Sequence, residues 1–88
     1  MSKKEILKYI EQSVEILENL ESKLMIEGGD QRIRRNIEDM ILNALSIATI
    51  VTSLTDTEIE TNDSIKDYIL IMQTTTIQTQ KLLFPVIN

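Results

Sequence analysis

The chain has 88 residues, a formal net charge of −5, 42% apolar residues and 26% charged ones. That describes one domain near the lower size limit for independent folding, too apolar for a disordered chain and too acidic to favour a nucleic-acid backbone as its main partner. With neither cysteine nor histidine, it has no disulfide, no thiolate zinc site, and neither the commonest general base nor the commonest transition-metal ligand.

The segment 1–8 has lysines but lacks the apolar run of a signal peptide. From there Ser2 and Glu5 read as a capping box, followed by Ile6, Ile10, Val14, Leu17, Leu20 and Leu24 at steps of three and four. This spacing predicts one helix over 3–27 with a single buried stripe. Lys4, Lys8, Glu11, Glu15, Asn19 and Ser22 occupy its other side. Gly28 and Gly29 end it, since glycine adopts the left-handed C-cap conformation without steric cost.

Asp30 is the N-cap expected for a second helix over 30–54. Its stripe (Ile33, Ile37, Met40, Ile41, Ala44, Ile47, Ala48, Val51) is broad, and Leu42, Leu45 and Ile50 lie outside its centre. A helix apolar over so much of its circumference is expected at the centre of a core. The run 40–54 is too short for a bilayer and is broken by Asn43, Ser46, Thr49, Thr52 and Ser53. A cytoplasmic protein is the expectation.

Residues 55–63 read as a loop or a brief helical turn near 56–60, with Thr55 and Glu58 spaced for a second capping box. Asn62 or Asp63 then caps a third helix over 63–84, stopped by Pro85, with a short tail at 86–88. Its face is marked by Ile65, Tyr68, Ile69, Met72, Leu82 and Leu83, with Thr75, Thr76 and Thr79 in the middle. Isoleucine and threonine favour strands, but strict alternation is absent across Ile69, Leu70, Ile71 and Met72. The fold class expected is all-α: a single domain over 1–88 forming an up-down-up three-helix bundle.

Charge order supports a hairpin of the first two helices. Glu18, Glu21 and Glu27 sit towards the negative end of the first, while Arg32, Arg34 and Arg35 crowd the positive end of the second. Each placement opposes the helix dipole, and folding back at the glycines sets the two clusters side by side.

Functional signals are few. Arg32, Arg34 and Arg35 at a helix start suggest phosphate or nucleic-acid contact, but no aromatic lies near to stack a base, and a cross-helix charge match explains them more simply. In the acidic loop 56–63 and just beyond it, Asp56, Glu58, Glu60, Asn62 and, at the twelfth place, Asp67 resemble a calcium loop, yet Thr61 stands where the sharp turn requires glycine. No activated nucleophile or buried carboxylate pair is evident, so an enzyme, a cofactor and a small-molecule substrate are not expected. The best lead is surplus apolar surface. Leu70, Ile77 and Phe84 recur every seven residues on the side of the third helix away from Ile65, Met72, Thr79 and Leu83. With Leu42 and Leu45 they make a candidate surface for helix–helix contact with another protein or with a second copy in a homodimer.

Overall fold

The computed structural model describes residues 2–84. All regular secondary structure among them is helical: α1 is Lys3–Glu27, α2 is Gln31–Ser53, α3 is Asp56–Glu60 and α4 is Asp63–Leu83. The chain is an all-α bundle, and the turn expected at 56–60 is a helix in its own right. Pro85, expected to stop α4, and the tail 86–88 lie outside the described residues.

Side chains fix the helix starts. Ser2 Oγ accepts from the Glu5 N–H at 3.2 Å, Asp30 Oδ1 from the Arg32 N–H at 2.8 Å, and Asn62 Oδ1 from the Ile65 N–H at 3.2 Å. Each removes one of the unpaired N–H groups of a first turn. The reciprocal half of the box expected at Ser2 and Glu5 is not made. It is complete at α3, where the Glu58 N–H donates to Thr55 Oγ1 at 3.2 Å and the Thr55 N–H donates to Glu58 Oε1 at 3.1 Å. Gly28 closes α1 in the left-handed region at φ 72°, and the Gly29 N–H reaches back to Leu24 O at 2.7 Å. A Cβ on Gly29 would lie 2.5 Å from Leu24 Cδ2, so both glycines belong to the turn.

The core is arranged around α1. All six residues of its predicted stripe are buried, and Ser13 is buried with them. Ile6, Ile10 and Val14 pack with Ala44 and Val51 of α2, Ile59 of α3, and Ile65, Ile69 and Met72 of α4. Leu17, Leu20 and Leu24 pack with Ile37, edged by Leu83 and Phe84. The expectation that α2 holds the centre is overturned: only Ile37, Ala44 and Val51, one residue in seven, are fully buried there. The reason is positional. The helix α1 has close neighbours in both α2 and α4, whereas α2 and α4 approach each other little. The result is thin and elongated, 44 × 27 × 17 Å. Its radius of gyration is 14.3 Å, against about 12 Å for a compact chain of this length.

A polar clamp joins the helix ends. Lys3 Nζ donates to Thr52 O at 2.6 Å, and the Lys3 N–H donates to Asp56 Oδ1 at 2.9 Å. The first turn of α1 therefore lies beside the last turn of α2, and α2 runs back along α1. Lys3 opposes the dipole of its own helix but sits at the negative end of α2, where its charge is favourable. At the next corner, Lys66 Nζ donates to Glu60 O at 2.9 Å.

Candidate functional site

The five candidate surface residues do not form one site. Leu42 and Leu45 are 61% and 47% exposed and line the seam between α1 and α2. Leu70 and Ile77 are 64% and 45% exposed and line the seam between α1 and α4. Phe84 departs from the sevenfold pattern. It is the C-cap of α4, with φ −134° and ψ 72°, and it packs at the edge of the core, with Lys23 Nζ 4.9 Å above its ring. Helical spacing cannot extend through a residue that has left the helix. The buried face of α4 is Ile65, Ile69, Met72 and Thr76.

The α1–α2 seam is a groove. Two hollows open to solvent, of about 560 and 370 Å³, share Glu18 and run from Leu7 to Ser22 along α1. Ile10, Val14, Ile41 and Ala48 form the apolar bed, and Leu42 and Leu45 stand exposed along the α2 wall. The rim is acidic: Glu11, Glu15, Glu18 and Glu21 from α1, and Glu38 from α2, with no Lys or Arg among the lining residues. Like charges three or four positions apart on a helix cost roughly 0.2–0.5 kcal/mol per pair, so the row on α1 is mildly self-repelling.

The outward side of α2 continues the apolar character. From 40 to 55 it has no charged residue, and Ile50 is 50% exposed there. Its hydroxyls are occupied within the helix. Ser46 Oγ donates to Leu42 O at 2.9 Å, Thr49 Oγ1 to Leu45 O at 3.1 Å, and Thr52 Oγ1 to Ala48 O at 2.7 Å. Polar in composition, this face has few free donors, a property hidden from a count of residue types.

The α1–α4 seam is lined by Tyr9, Gln12, Ile16 and Gln73 beside Leu70 and Ile77, with Ser13 and Thr76 at its base. Thr76 is 1% exposed, and its Oγ1 has no hydrogen-bond partner. On the third side, Ile71, Tyr68, Met40 and Asn43 border a shallower hollow between α2 and α4. Burial pushes the Tyr68 phenol above its ordinary value.

Several residues of the alternative sites also serve the fold. In the acidic stretch, Asp56 accepts from Lys3 and Glu58 completes the α3 capping box. The Thr55 backbone N–H, then its hydroxyl, hold the Glu58 carboxyl below its ordinary value. Among the described residues, no group of three or more acidic side chains is placed to hold a metal ion. At the arginine cluster, Asp30 already occupies one N-terminal donor of α2, the Arg32 N–H, and Arg34 Nε is buried without a partner. None of the side-chain hydrogen bonds among the described residues joins Arg32, Arg34 or Arg35 to Glu18, Glu21 or Glu27, so the expected charge match is not a bonded one. No described helix is long and apolar enough to cross a membrane.

Set against protein-family models, curated proteins and solved structures, the chain matches none.

Proposed function

We propose that this protein is a helix-binding interaction module, acting through helix–helix contact with another protein or with a second copy of itself. The observation that carries this reading is the outward side of α2, charge-free from 40 to 55, with Leu42, Leu45 and Ile50 about half exposed or more. A helix facing only water gains nothing from a wide apolar arc, and contiguous exposed apolar surface marks an interaction site. The open grooves on either side of α1 provide the shape that an added helix requires.

Two measurements test it together. Sedimentation velocity across a wide concentration range reads self-association, and Ile77→Asp reports whether the α4 seam takes part. Fluorescence anisotropy with labelled amphipathic helical peptides reads hetero-association. A concentration-dependent mass, or saturable binding of at least one peptide, is the expected result. A chain that stays monomeric and binds no helix overturns the reading.

A further inference from the structure

The α1–α2 groove differs from the other two in what it says about its occupant. The α1–α4 seam is flanked by glutamines around Leu70 and Ile77 and by one cation, Lys23, further along, and the α2–α4 seam by asparagine and threonine, so neither presents a row of like charges that would select a partner. The α1–α2 groove sets an apolar bed between carboxylates from two helices and includes no cation of its own. We propose that it takes a cationic amphipathic helix of a partner protein. The apolar stripe of that helix would lie on Leu42, Leu45 and Ala48, and its lysines or arginines would meet Glu11, Glu15, Glu18 and Glu38. This rests on the interaction reading above and names the chemistry of the partner.

Length and charge both fit. From Leu7 to Ser22 the groove runs about 22 Å along α1, the length of some four helical turns. Glu11, Glu15 and Glu18 recur at four and three positions, so they line one edge at the pitch at which a docked helix presents its own flanking side chains. A second copy is the wrong occupant here. It would bring the same acidic rim and the same net charge of −5, and like charges placed face to face oppose association. A cationic helix instead relieves the repulsion within the α1 row and is steered to the groove by its field.

The test uses the intact protein and three labelled helix-forming peptides of roughly four turns. They share one leucine stripe and differ only in whether their flanks are lysine, glutamine or glutamate. The lysine peptide is expected to bind at least about tenfold more tightly than the glutamine one, and to lose that advantage at roughly 0.5 M salt. Leu42→Ser with Leu45→Ser should weaken it about tenfold, and the triple variant Glu15→Gln, Glu18→Gln, Glu38→Gln should abolish the preference for lysine. Backbone amide shifts should map to α1 and α2 around Glu18, with circular dichroism confirming that each variant is folded. Equal binding of the glutamine or glutamate peptide overturns the proposal but leaves the interaction reading standing. So does binding that ignores the leucine pair, amide shifts confined to α4, or self-association without any peptide binding. A monomer that binds none of the three overturns both.

Discussion

At the scale of single residues, three positions set stability in ways that composition does not show. Thr76 buries a hydroxyl with no partner, and an unsatisfied buried polar group costs roughly 1–3 kcal/mol. Thr76→Val should therefore stabilise the protein by about 1 kcal/mol, read as a rise of roughly 5 °C in the thermal midpoint. Gly28 sits at φ 72°. Gly28→Ala should cost about 1–2 kcal/mol by forcing a Cβ into the left-handed region, measurable by urea denaturation. Glu58 has a depressed pKa because the Thr55 N–H and hydroxyl favour its charged form. A carboxylate depressed in the folded state contributes stability that is fully present above its unfolded value and lost as the pH falls through the folded one. Stability should thus decline below the ordinary carboxylate range, and Glu58→Gln should flatten that part of the profile.

At the scale of elements, α2 is the instructive helix. Its apolar stripe is wide enough to fill a core, yet only the line Ile37, Ala44 and Val51 is sealed. Ile37→Ala should cost about 2–5 kcal/mol as a buried truncation. Leu42→Gln and Leu45→Gln should each stay within about 0.5 kcal/mol, because those side chains already face solvent. Chemical denaturation of the three variants checks both statements, and a large loss at Leu42 would mean that the face is covered in the isolated chain. The same helix shows what sequence reading can reach. The α1 stripe was fully legible, since Ile6 to Leu24 has one apolar face and charged residues opposite it. The caps at Asp30, Thr55 and Asn62 were legible because their chemistry is local. What packs on what was not: the wide stripe of α2 permits several rotations, and only the neighbours of α1 select among them. Phe84 was assigned to a seam by helical spacing that its position as a C-cap interrupts. Lys3 had a signal that could have been used, since a cation at the wrong end of its own dipole is well placed to cap another helix. The acidic groove needed α1 and α2 in register before Glu38 joined the row on α1.

At the scale of the whole molecule, the seams on the two sides of α1 differ in charge. The acidic groove lies on one side of α1, the glutamine-flanked seam on the other, and the charge-free arc of α2 faces outward. The two sides of α1 permit two contacts of different chemistry, a salt-sensitive one on α2 and a salt-tolerant one on α4. Competition would separate them: a lysine-flanked helix bound by α2 should not alter any self-association abolished by Ile77→Asp, as sedimentation of the mixture would show. The central place of α1 has a further consequence, for the order in which the molecule opens. Because α2 and α4 meet only through side chains of the shared core cluster while their backbones stay apart, α4 can detach with α3 while the α1–α2 hairpin keeps its glycine turn and much of its contact. Native-state hydrogen exchange should then fall into two tiers. Amides of α4 would exchange through a partial opening, and those around Leu17 and Ile37 only through global unfolding.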